Sequence, residues 1–145
     1  MKTKYVVGFA FSPDLKRVVL IRKNRPEWQR GKLNGVGGHL EVGETPHRAM
    51  AREFLEETGT EIAASDWMYL VTLDFPEAVL HVFFTVSERV DTVQTVESEE
   101  VVVVNPRDID NLKCISNLKW LIPMALETIK DPMLWGNCLI DNNSV

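Results

Sequence analysis

The sequence predicts a mixed α/β fold, and three observations carry that expectation. A chain of 145 residues is long enough for one domain, 1–145, with a sizeable single core. Runs rich in Val, Ile, Phe and Tyr recur between turn residues, as strands do. Two other segments, one after Thr45 and one after Asn117, carry helix signals instead.

Residues 4–11 (KYVVGFAF) form the first β-rich run, and Ser12, Pro13 and Asp14 turn it. Residues 17–22 (RVVLIR) form the second, and the two read as a hairpin. Residues 23–32 (KNRPEWQRGK) are polar, with Pro26 and Gly31, and read as a loop. Residues 33–40 (LNGVGGHL) hold three glycines, which suit a strand and turn whose backbone approaches a ligand. Thr45 then Pro46 is an N-cap followed by a proline at the first helical position, and Gly59 is a fitting stop. On that helix Ala51, Phe54 and Leu55 are expected to form the buried face. Residues 67–75 and 79–86 read as strands joined near Pro76. Residues 91–100 are acidic and read as a loop or edge strand, and 101–104 (VVVV) as a short buried strand. Residues 117–130 are helical by the spacing of Trp120, Leu121, Met124, Ala125 and Ile129, with Pro123 as a kink or first-turn residue. The tail from Asp131 is expected to be mobile.

Composition narrows the function. Apolar content of 45% and charged content of 26% are ordinary for a soluble protein. A net charge of -5 argues against binding of nucleic-acid polymers, which favour basic partners. No apolar run approaches the roughly 20 residues that span a bilayer, and the short run at the N-terminus lacks a signal-peptide cleavage site. Cys114 and Cys138 lack zinc-ligand spacing, as expected of free thiols in a reducing compartment. The expectation is a cytoplasmic enzyme without membrane partners, monomeric or homodimeric.

The strongest chemical signal lies in residues 38–60 (GHLEVGETPHRAMAREFLEETGT). Glu53, Glu56 and Glu57 stand at i, i+3 and i+4, so all three carboxylates share one helix face. Each close like-charge pair there destabilises an isolated helix by roughly 0.2–0.5 kcal/mol. A cation removes that cost. Hard divalent ions take carboxylate oxygens, and Mg²⁺ is held by a few carboxylates together with substrate phosphates. The segment therefore reads as a metal platform for a phosphate-bearing substrate.

This stretch resembles the signature of the Nudix hydrolases, carried by Gly38, Glu44, Arg52, Glu53, Phe54, Glu56, Glu57 and Gly59. Only Thr60 departs, where an aliphatic residue is expected; Ile62 is placed to supply that packing. Seven specified positions match by chance roughly once in 10⁸–10⁹ placements. The resemblance implies an α/β/α sandwich, a mixed β-sheet between helices. It implies a pyrophosphohydrolase that uses Mg²⁺ or Mn²⁺ to cleave a nucleoside diphosphate linked to X by attack of water. Glu53, Glu56 and Glu57 would be metal ligands, with the backbone carbonyl of Gly37 or Gly38. Arg52 would orient a ligand glutamate, and Glu44 would shape the loop before the helix.

A further carboxylate is expected from the run Glu97, Ser98, Glu99, Glu100, with Glu99 or Glu100 as ligand or general base; Glu53 also stays in play as base. Arg22, Lys23 and Arg25 are candidates for phosphate contacts. The run from Leu33 to Glu44 resembles the branch that hydrolyses oxidised purine nucleoside triphosphates, in which an Asn at the place of Asn34 contacts the base. Trp28 is a second substrate-binding candidate, and Trp120 either lines the base pocket or belongs to the core. His39 stands where that branch commonly has Lys and could still touch phosphate. The expected substrate is a nucleotide, most plausibly a nucleoside triphosphate, an oxidised one included. The alternatives are ADP-ribose, a nucleotide sugar or a dinucleotide. A non-catalytic nucleotide-binding regulator of the same fold would be expected to lack one of the glutamates, and none is missing.

Overall fold

The computed structural model describes residues 2–133 and 138–141. Strands β1 (Thr3–Phe11) and β2 (Val18–Arg22) form the expected hairpin, and β3 (Leu33–Asn34) and β4 (Val36–His39) follow. Helix α1 (Pro46–Thr58) is followed by β5 (Met68–Asp74), β6 (Ala78–Val86) and β7 (Glu100–Val104). Helix α2 (Leu118–Lys130) and strand β8 (Cys138–Asp141) complete the order.

All the strands join one mixed sheet with β1 at its centre. One edge of β1 pairs in parallel with β6 along its whole length, Thr3 with Ala78 through Phe11 with Val86. The other edge is divided between two antiparallel partners. Tyr5–Gly8 pair with β4, whereas Ala10 and Phe11 pair with β2. Strand β2 carries β3 on one side and β7 on the other, and β5 bridges β6 to β8.

Side chains alternate across β1, so two cores form. Val6 and Ala10 point to a cluster with Ala49, Met50 and Phe54 of α1. Val7, Phe9 and Phe11 point the other way, to Leu118, Leu121, Ile122, Met124 and Ala125 of α2. The two helices thus cover opposite faces of the sheet, which is the expected α/β/α sandwich.

Helix α1 begins and ends where its sequence says. The Thr45 hydroxyl accepts from the Arg48 N–H, and Gly59 closes the helix at φ 72°. A side chain at Gly59 would be strained by that φ.

Four expectations change. Leu55 is 43% exposed; the buried positions of α1 are Ala49, Met50, Phe54 and Thr58. The valines of β7 are not a buried strand, because β7 pairs only β2 and leaves Val103 40% exposed. Pro123 sits inside α2 past its first turn, so the first-turn alternative falls. Part of the tail is ordered as β8, parallel to β5 from Val71 with Cys138 to Asp74 with Asp141. The rest of that tail lies outside the described residues.

Candidate active site

The divided edge of β1 places the site. Strand β4 runs under α1, with Gly38 opposite Val6 on the face that α1 covers. A Cβ on Gly38 would lie 2.5 Å from Glu53 Oε1, so any side chain there would push that carboxylate from its place. One turn further along α1, the Gly37 N–H donates to Glu57. Backbone and helix thereby pin two carboxylates against the glycine pair, and Glu56 stands on the exposed rim.

Arg52 organises the acidic face. Its Nε donates to Glu44 Oε2 at 2.7 Å and its Nη2 to Glu44 Oε1 at 2.9 Å and to the His39 carbonyl at 3.0 Å. Its Nη1 donates to Glu53 at 3.0 Å and to Glu56 at 3.3 Å. All five guanidinium N–H groups are therefore used. The Arg52 guanidinium holds the Glu44 carboxyl below its ordinary range, and these carboxylates raise Arg52 further above its own.

The second cation is Lys23. Its Nζ donates to Glu99 Oε1 at 3.0 Å, and the Asn24 N–H donates to Glu99 Oε2 at 2.6 Å. Burial alone would raise the Glu99 carboxyl, yet these bonds outweigh it and hold the group below its usual value. Glu57 lies in the opposite situation. Burial first, then the Glu53 charge, pushes its carboxyl up to about 8 against the pull of Lys23. Burial also raises Glu53, opposed by Arg52 and aided by Glu56 and Glu97.

One atom is left over: Glu57 Oε2 is buried and accepts no hydrogen bond. A buried carboxylate oxygen without a partner costs on the order of 1–3 kcal/mol or more. As the side chains stand, no three His, Cys, Asp or Glu groups among the described residues converge on a single point. The positive charges among these carboxylates are those of Arg52 and Lys23. The donor set is nonetheless all oxygen, with like charges on neighbouring positions of one helix face, and its orphaned Oε2 fits a hard divalent ion.

The other predicted residues separate. Arg22 pairs with Glu100 at 3.1 Å across β2 and β7, both well exposed, so Glu99 and not Glu100 faces the helix carboxylates. His39 packs against Tyr5 at a tilt, ring centroids 4.5 Å apart, on the face opposite Gly38. Trp28 is 63% exposed in the 23–32 loop, and Trp120 is 38% exposed, outside the core. Asn34 spends its amide locally, accepting from the Gly35 N–H at 2.8 Å and donating to Gln29 at 3.2 Å. His47 packs edge-on against Phe83, and His81 meets Thr72, apart from the acidic cluster. Gln29 and the backbone of Asn24 were not legible in sequence, since only folding of the 23–32 loop brings them to Asn34 and Glu99.

Comparison with known proteins agrees with this fold. The family model described as NUDIX domain matches residues 1–125. A Nudix hydrolase from Nitrosomonas europaea superposes with a TM-score of 0.74 at 19% identity, covering 97% of this chain and 80% of that one. The NUDIX domain of NrtR from Shewanella oneidensis, complexed with ADP ribose, gives 0.72 at 17% identity over 89% of each chain. A MutT structure from work on Aliivibrio salmonicida and Vibrio cholerae gives 0.66 at 17% identity, covering 86% of this chain and 96% of that one.

Proposed function

Since the chain belongs to the Nudix hydrolase family, acting on pyrophosphate bonds, we propose that it hydrolyses a nucleoside triphosphate to the monophosphate and pyrophosphate. The observation that carries this reading is the buried, unpartnered Glu57 Oε2 beside Glu53 and the Gly37–Gly38 backbone. Nudix hydrolases generally use divalent metal ions, and Mg²⁺ or Mn²⁺ is the expected one here. Glu53, Glu56 and Glu57, with the Gly38 carbonyl, would hold it. Once bound, such an ion neutralises phosphate charge and lowers the pKa of nearby water.

The protein's own groups do the rest. Arg52 fixes the rotamers of Glu53 and Glu56 through Nη1, and its fork on Glu44 fixes Arg52 in turn. Glu99, kept ionised by Lys23 and the Asn24 N–H, would accept a proton from the attacking water. Lys23 lies between this carboxylate and Glu57, where it can follow phosphate charge as it develops. A dinucleotide-type or ADP-ribose substrate is the second reading, favoured by the likeness to the ADP ribose-bound NrtR domain.

The test is a screen of canonical and oxidised triphosphates, ADP-ribose and dinucleotides with Mg²⁺ or Mn²⁺, reading phosphate and pyrophosphate release. Pyrophosphate from triphosphates is expected. Turnover of ADP-ribose or dinucleotides alone overturns the triphosphate reading.

A further inference from the structure

The hydrogen bonds around Asn34 fix the direction of a second carboxamide. Asn34 Oδ1 accepts from the Gly35 N–H at 2.8 Å, so its Nδ2 must face outward. That Nδ2 donates to Gln29 Oε1 at 3.2 Å. Gln29 is thereby turned with its carbonyl inward and its NH₂ presented outward. Gln29 is half-buried, and the residue before it, Trp28, is 63% exposed and offers a flat ring on which a base can stack.

Its place is apt for a nucleobase. Asn34 pairs with Ile21 and the ladder continues through the Lys23 N–H to Lys32, so Ile21, Lys23 and Asn34 share one sheet face. Lys23 is also the cation at Glu57 and Glu99. From Asn34 to Gly37 the chain runs three residues, about 10 Å when extended. That is the kind of separation a nucleotide spans between phosphates and base.

We propose that Gln29, and not Asn34, reads the base, and that it selects a purine with a 6-carbonyl over one with a 6-amino group. This rests on the nucleotide reading of the site. Gln29 offers donors only, so a carbonyl oxygen satisfies it. An exocyclic amine leaves two donors facing each other. Asn34 is the positioning residue: it aligns Gln29 and touches no base.

Inosine and adenosine nucleotides differ at this edge and serve as probes. The kcat/KM for inosine triphosphate is expected to exceed that for ATP by about ten- to hundredfold, the size of one desolvated hydrogen bond. Gln29→Glu turns the outward group into an acceptor. Asn34→Asp does the same without altering Gln29, because its second oxygen only accepts and turns the Gln29 NH₂ inward. Both variants are expected to bring the ratio to one or below. A wild-type ratio near one overturns the proposal, as does a ratio that survives both substitutions. If one variant fails to fold, the other decides. Calorimetric binding of the two monophosphates separates this from the hydrolytic reading. Preference for inosine monophosphate without triphosphate turnover keeps the base reader and sinks the triphosphatase. Triphosphate turnover blind to the base does the reverse.

Discussion

Glu57 concentrates the electrostatic cost of this site. Its carboxyl is buried, one oxygen lacks a partner, and its pKa is pushed up to about 8 by burial and by Glu53. Above its ordinary range and below about 8, the folded protein holds a proton there that the unfolded chain has lost. Stability of the metal-free protein therefore falls as pH rises through that window. Urea unfolding in a chelator, followed across pH 5 to 9, is expected to show this decline, and Glu57→Gln is expected to flatten it. A wild-type curve that rises over the same window sinks the assignment. On the proposed mechanism, the same substitution replaces a metal-binding carboxylate oxygen with an amide nitrogen. Turnover with Mg²⁺ is expected to fall by about 10²–10⁴-fold while far-ultraviolet circular dichroism stays native. Unchanged turnover would exclude the acidic helix from the mechanism.

At the scale of elements, α1 and β4 work as one unit. A Cβ at Gly38 would meet the Glu53 carboxylate at 2.5 Å and displace it. Gly38→Ala is expected to lower kcat by more than tenfold with a native fold, and wild-type kinetics for this variant would remove β4 from the site. The caps of α1 act on stability instead. Thr45→Ala removes the bond to the Arg48 N–H and is expected to cost about 1 kcal/mol in denaturant unfolding. A loss near zero would show that the cap is idle. These features were legible in sequence because each lies within one helical turn: Thr45 before Pro46, Gly59 at the stop, three glutamates at i, i+3 and i+4. What depended on distant pairing was not legible. The choice between Glu99 and Glu100 is made by β2–β7 register, which sets Arg22 against Glu100 and leaves Lys23 to Glu99 across 76 residues. Likewise, four valines in a row read as a buried strand, and only the sheet order shows that β7 lies at an edge.

Over the whole molecule, the sheet is what turns a strained helix into a site. Because β1 divides one edge between β4 and β2, the glycine pair of β4 and the Lys23 end of β2 both border α1. A chain of net charge -5 thus gathers Glu44, Glu53, Glu56, Glu57 and Glu99 around two cations of its own, Arg52 and Lys23. Such a cluster is undercompensated as folded, so an added divalent ion acts on the folded state far more than on the unfolded chain. By mass action, an ion at ten times its dissociation constant adds about 1.4 kcal/mol. For a chain of this size that corresponds to a rise of about 3–6 °C in the melting temperature. Mg²⁺ or Mn²⁺ at pH 8 is expected to give that rise, while NaCl of equal ionic strength gives a smaller one, since screening weakens attraction and repulsion alike and supplies no ion to bind the carboxylates. The rise is expected to vanish in Glu53→Gln/Glu57→Gln, which keeps the fold and removes the charge. A melting temperature indifferent to both ions, or one that rises equally in the double variant, would detach the acidic cluster from metal binding altogether.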